Sequence, residues 1–216
     1  MSGVQAKICG LSTPEAVRAA LDGGARHVGF NFFEKSPRYV TAEAAARLAE
    51  PVRAKGGVGV VAITVDPDDA LLDRLAAVLK PDFIQLHGKE TPARAREVAA
   101  RTGAGVIKVL SVSDADDLAG AAAFEPVVDH LMFDAKTPKG SDLPGGMGAK
   151  FDWTLLAGRR FNRPWFLAGG LDPWNVAEAV RLSGAPIVDV SSGVERGPGL
   201  KDPALITAFL DAVRRA

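Results

Sequence analysis

The sequence predicts a (β/α)8 barrel, and three observations carry that expectation. Eight short apolar runs recur roughly 22 to 34 residues apart, about the size of one strand–helix–strand step. Most runs are continuous rather than alternating and rich in Val, Ile and Phe, as strands are when both faces are covered. The segments between them carry apolar residues at helical spacing, and several open on helix-start signals.

The runs are "AKIC", "HVGFNF", "VGVVAITV", "DFIQLH", "GVIKVL", "DHLMFD", "PWFLA" and "PIVDV". Their expected strand ends are Cys9, Phe32, Val65, His87, Leu110, Asp134, Ala168 and Val190. Before the first helix, Thr13-Pro14 sets a capping side chain ahead of a proline suited to the first turn. Ser12 and Glu15 also match a capping box, so the exact cap stays open. Gly23-Gly24 reads as that helix's stop, and Gly103 as the stop of the fourth. Residues 42–56 read as a surface helix. Leu71, Leu72, Leu75, Val78 and Leu79 fall on one helical stripe, as do Leu205, Ile206, Phe209, Leu210 and Val213. Asp172-Pro173 predicts a helix start after the seventh strand. The sixth connection, "AKTPKGSDLPGGMGAKF", reads as mostly loop. An open doubly wound sheet would use the same alternation, but its Gly-rich turn after the first strand is missing. No Pro- or Ser-rich linker divides the chain, so residues 1–216 are expected to form one domain.

Bulk chemistry narrows the function. The chain is 47% hydrophobic and 24% charged, the balance of an ordinary globular protein. Lys plus Arg equals Asp plus Glu at 26 each, so no bulk charge draws it to nucleic acid or a membrane surface. Its single cysteine cannot form an internal disulfide, and no basic segment leads an apolar stretch at the N-terminus. Both features predict a cytoplasmic setting. No run approaches the ~18 residues of a membrane span.

In such a barrel, chemistry sits where strands end and the following loops begin. Those ends present Cys9, Asn31, Gln85 and His87, Asp134, then Asp189 with Ser191 and Ser192, while Arg38 lies in the second loop. A lone cysteine is ordinarily a small buried hydrophobe. Here it ends the first strand just upstream of a helix N-terminus, whose dipole is expected to favour a thiolate. Asp134, across the rim, suits a general acid. A thiolate base opposite a carboxylic acid suits proton shuttling and isomerisation. Arg38 offers a fork for a substrate carboxylate. Gln85 and His87 alternate on strand four and so share a face toward the ligand. Gly169 and Gly170 follow strand seven, and Ser191, Ser192 and Gly193 follow strand eight. Those two loops form the usual phosphate site of such barrels. His27 and His130 stand near strand starts and read as structural. No Cys, His and carboxylate cluster has metal-ligand spacing, and no cofactor motif appears, so neither metal nor cofactor is expected.

The motifs "KICGL" at 7–11, "SPRYV" at 36–40, "QLHG" at 85–88, "FDAKTPKGSDLPGGMG" at 133–148, "LAGGLDPWNV" at 167–176 and "DVSSGVE" at 189–195 resemble the phosphoribosylanthranilate isomerase family of the tryptophan pathway. The resemblance runs from the first strand to the last helix. It implies an Amadori rearrangement of N-(5-phosphoribosyl)anthranilate. Asp134 then matches the general acid, Cys9 the general base, and Arg38 the arginine near the anthranilate carboxylate. Gly169, Gly170, Ser192 and Gly193 fall in the phosphate loops, and the long sixth loop matches a mobile lid. Ser12 and Met147 depart from the commoner residues without touching the acid or base. The implied partner is a small phosphosugar–anthranilate substrate, with no nucleic acid or membrane, and the protein itself is expected as a monomer or homodimer.

Rival readings have their own requirements. The related isomerase of histidine synthesis carries an aspartate where this chain has Cys9. A pentose-phosphate epimerase wants metal-binding His and Asp at strand ends. The indole-forming synthase wants a rim lysine and an extra helix ahead of the first strand. A catalytically dead scaffold should have lost Cys9 or Asp134.

Overall fold

The computed structural model describes residues 3–136, 148 and 150–216. Eight parallel strands close into a barrel in chain order. They are β1 (Gln5–Ile8), β2 (His27–Asn31), β3 (Gly59–Thr64), β4 (Phe83–Leu86), β5 (Gly105–Val112), β6 (His130–Ala135), β7 (Trp165–Leu167) and β8 (Ile187–Val190). The closing pair is β1 on β8, in register from Gln5 with Ile187 to Ile8 with Val190. An open sheet could not make that ladder, so closure decides between the two architectures the alternation allowed.

Strand pleat sorts the side chains. Val61, Ile107, Val109, Met132, Phe166, Ala168 and Ile187 fill the barrel interior. Their neighbours Ile8, Phe30, Leu86, Phe133 and Val188 point outward and pack under the helices. Since successive residues alternate faces, the same parity turns Lys7, Gln85, Asp134 and Asp189 inward. The functional positions share one face because the period of a strand is two.

The helices follow their caps. α1 (Pro14–Asp22) is capped by Thr13, whose hydroxyl accepts from Ala16 N at 3.3 Å, which resolves the open choice against Ser12. α2 (Ala42–Lys55) buries Ala42, Ala45, Ala49 and Val52. α3 (Asp69–Arg74) runs on into one wider π-turn at Leu75–Leu79. Leu72, Leu75 and Leu79 are buried, but the wider turn leaves Val78 exposed, off the expected stripe. α4 (Pro92–Thr102) stops at the left-handed Gly103, and α5 (Ala121–Phe124) is a single turn. Between β6 and β7 the described residues hold only the 3-10 turn Trp153–Leu156.

α6 (Val176–Ser183) starts later than Asp172-Pro173 predicts. The Asp172 carboxylate accepts from Trp174 N and Asn175 N, both at 2.9 Å, and so caps a separate turn ahead of the helix. α7 (Pro203–Arg215) buries Ile206, Phe209, Leu210 and Val213, each contributing about 1.5–3 kcal/mol of burial. A short hairpin, β9 (Glu195–Gly197) with β10 (Leu200–Lys201), precedes it. Strands this short show no periodicity in sequence.

The floor of the barrel is a ring cluster. His27 lies 5.3 Å from Phe166 and 5.8 Å from Phe83, and His130 lies 5.1 Å from Phe83. Burial, then the neighbouring His130, Lys7 and Arg26, push His27 down to about 4. Both rings sit at strand starts, opposite the mouth.

Candidate active site

Cys9 follows β1 directly. Its N–H donates to Val190 O at 2.9 Å, continuing the β1–β8 ladder, and its side chain is buried. Gly10 then turns the chain at φ +74°. A Cβ there would stand 2.6 Å from Arg38 Cδ, so the glycine lets the arginine stem lie over the turn. Burial pushes the Cys9 thiol up, outweighing Lys7, Lys201 and Arg38, which pull it down; Asp189 adds to the upward push. This corrects the expected dipole effect. α1 begins only at Pro14, and dipole influence fades within a turn.

Two residues deeper on the same face, Lys7 Nζ meets Asp189 Oδ1 at 2.8 Å, with the lysine side chain fully buried. Burial works against the ammonium, but Asp189 and then Cys9 outweigh it and hold Lys7 above its ordinary value. Burial also lifts Asp189, against the pull of Lys7.

Asp134 projects inward from β6 and is 7% exposed. Its Oδ1 accepts from Ala135 N at 2.8 Å. Its Oδ2 lies 3.3 Å from His87 Nε2, at ion-pair distance but without hydrogen-bond geometry. Gln85 and His87 share the inward face of strand four, as their alternation predicts. Gln85 is buried with its Oε1 unpartnered. Glu90 pins the loop behind His87, accepting from Asp66 N, Gly88 N and Lys108 Nζ.

Arg38 is buried beside the mouth and forks onto Glu195, Nε to Oε1 at 2.7 Å and Nη2 to Oε2 at 2.8 Å. Lys201 Nζ donates to the same Oε1 at 2.7 Å and to Ser191 O at 2.8 Å. The two glycine loops then touch each other. A Cβ on Gly169, at φ +89°, would stand 2.6 Å from Ala135 N, and one on Gly193 would run into the Leu171 carbonyl. Gly170 and Ser192 sit beside them, lining a cleft of about 600 Å³ with Arg38, Lys150 and Arg196.

Residues 6–212 match the family model described as N-(5'phosphoribosyl)anthranilate (PRA) isomerase. The chain belongs to the phosphoribosylanthranilate isomerase family. It is 71% identical over 211 residues to the N-(5'-phosphoribosyl)anthranilate isomerase of Caulobacter vibrioides, covering 98% of this chain and 96% of that one. The Rhodospirillum centenum isomerase is 56% identical, with 96% of each chain covered. Among solved structures, the Thermotoga maritima phosphoribosyl anthranilate isomerase superposes with a TM-score of 0.86 at 34% identity, covering 99% of this chain and 100% of that one. Another structure of the family holds reduced 1-(o-carboxyphenylamino)-1-deoxyribulose 5-phosphate, and superposes at 0.82 with 31% identity over 99% of this chain and 100% of that one.

The ion pairs of the structure bring out three mouth residues that the sequence did not single out: Lys7, Glu195 and Lys201. Lys7 carried a signal, a charge inside an apolar strand two positions before Cys9. Glu195 carried none, because its partner Arg38 lies 157 residues away. The expected lid, with Met147, falls largely on residues 137–147 and 149, outside the described residues.

Proposed function

We propose that this chain isomerises N-(5-phosphoribosyl)anthranilate to 1-(2-carboxyphenylamino)-1-deoxyribulose 5-phosphate in tryptophan biosynthesis, with Asp134 as general acid and Cys9 as general base. Asp134 gives its proton to the furanose ring oxygen. The C1–O bond breaks onto that oxygen while the nitrogen lone pair forms the Schiff base. Cys9, as thiolate, then takes the C2 proton, and the C–H electrons form the C1=C2 bond of an enolamine as the C=N pair returns to nitrogen. Tautomerisation gives the ketone. No atom enters or leaves, so two proton-handling groups suffice.

The observation that carries this reading is the shared inward parity of Cys9 and Asp134, from β1 and β6, at the mouth of one closed barrel. Arg38 receives the anthranilate carboxylate. With Glu195 between Arg38 and Lys201, the trio keeps one surplus positive charge, which a substrate carboxylate neutralises. Gln85, His87 and Asp189 line the sugar side. Gly169, Gly170, Ser191, Ser192 and Gly193 receive the phosphate on backbone N–H groups. The reduced product analogue held by the relative at 31% identity supports this substrate class.

The chain acts as one domain, residues 1–216, in a cytoplasmic setting that keeps its thiol reduced. A Thermotoga relative is described as dimeric, and sedimentation velocity distinguishes monomer from homodimer here. No helix among the described residues is long and apolar enough to cross a membrane. The deciding test is the loss of substrate fluorescence with freshly made phosphoribosylanthranilate and identification of the deoxyribulose product. A folded protein without turnover overturns the assignment.

A further inference from the structure

Lys7 is a fully buried charge at the mouth for which the reaction above has no use. Burying an ion pair rarely stabilises a fold more than apolar packing would, so its presence asks for another reason. Lys7 and Cys9 stand two residues apart on β1 and point to the same side. Space for the lysine stem comes from Gly29 on β2: a Cβ there would lie 3.3 Å from Lys7 Cε and 3.4 Å from Cys9 Cα. The ammonium is fixed on its far side by Asp189 Oδ1 at 2.8 Å. The ammonium and the Cys9 sulfur thus share one side of the strand, where a positive charge on one favours a negative charge on the other.

We propose that Lys7 is a positioning residue for the base: clamped by Asp189, its ammonium offsets part of the cost of forming the Cys9 thiolate in a buried place, without touching the substrate. The inference rests on the reading of Cys9 as base and adds what makes that base available. The charged groups facing Cys9 are Lys7 on its own strand, Asp189 from β8, Lys201 from the hairpin and Arg38 from the second loop. The last two are already engaged by Glu195. Lys7 sets a positive charge on the sulfur's own side of the strand, and Asp189 sets a negative charge beside it. The two members of the pair therefore act on the thiol in opposite senses.

The opposition makes the test sharp. Cys9 is the only cysteine in the chain, so thiolate absorbance near 240 nm, with Cys9→Ala as blank, reads this sulfur alone. In Lys7→Met the cation is gone and the buried Asp189 takes a proton. The thiolate titration moves upward by about one pH unit or more, and kcat/KM at neutral pH falls about tenfold or more, with its acid limb displaced equally. In Asp189→Asn the sulfur becomes the ammonium's nearest anion, and the titration moves downward. Lys7→Arg restores most of the lost thiolate. An unchanged or lowered midpoint in Lys7→Met overturns the proposal. If Lys7→Met does not fold, a midpoint in Asp189→Asn that fails to drop overturns it instead. Failure of the underlying reading looks different: Cys9→Ala would then keep its turnover whatever the titrations show.

Discussion

Arg38 holds Glu195 in a two-point grip, Nε on Oε1 at 2.7 Å and Nη2 on Oε2 at 2.8 Å. Lys201 closes on the same carboxylate from the hairpin side. One acidic side chain thus ties the second loop to the segment after β8, across the mouth. Burial works against its charge, but the Arg38 hydrogen bonds and Lys201 more than reverse this and hold Glu195 below the usual range.

Glu195→Gln leaves two buried cations without their shared anion. Stability falls by about 3 kcal/mol, read from urea unfolding at neutral pH. The wild-type contribution has a defined pH window. Because the folded carboxyl titrates below the unfolded one, the stabilisation is complete above about pH 4.5. It disappears as pH falls through the folded value. An unchanged urea midpoint in the variant would show that the grip contributes nothing to the fold.

Arg38→Ala removes the fork assigned to the substrate carboxylate. KM rises about tenfold or more, as expected for loss of a charged hydrogen bond, while kcat changes less. A KM equal to wild type takes Arg38 out of substrate recognition.

Cys9→Ala and Asp134→Asn each lower kcat by about 10²–10⁴-fold with circular dichroism unchanged. Full turnover in either variant removes that residue from the mechanism.

His27 gives the fold an acid sensitivity remote from the mouth. Its folded value near 4 lies below that of a free imidazole, so the unfolded chain binds the proton more readily. Stability is complete above about pH 6.5 and declines toward pH 4, by about 3 kcal/mol. The groups facing this ring are His130, Lys7, Arg26, Phe83 and Phe166. His27 Nδ1 has no hydrogen-bond partner among the described residues, so His27→Leu forfeits none there. Its urea stability should vary less with pH between 6.5 and 4, and a slope as steep as wild type assigns the acid lability to other groups.

Gly193→Ala forces the eighth loop away from the Leu171 carbonyl. Inorganic phosphate, as a competitive inhibitor, should bind about tenfold more weakly, roughly the loss of one charged hydrogen bond. Unchanged phosphate inhibition would mean that the contact between the loops does not shape the anion site.

The sequence was most legible where a local rule governs. Seven expected strand ends fall within one residue of those observed, because a buried run stops where its apolar residues stop. β5 continues past Leu110 to Val112, since Ser111 and Val112 still pair with Asp134 and Ala135 on β6. Asp172-Pro173 was legible as a cap but not as the cap of a turn three residues ahead of the helix. The difference lies in where Asn175 sits, and no local propensity settles that.

By itself, the sequence determined the alternation of strand and helix, the placing of Cys9, Asp134 and Asp189 at strand ends, the shared face of Gln85 and His87, and the glycines of the last two loops. These follow from periods of two and 3.6 and from backbone space, which neighbouring residues set. Only the tertiary structure decided which charges meet. Lys7 reaches Asp189 across 182 residues and Arg38 reaches Glu195 across 157. Whether the Cys9 thiol is raised or lowered depends on that meeting. Burial and Coulomb interaction are functions of distance in space, and closing the barrel is what fixes those distances.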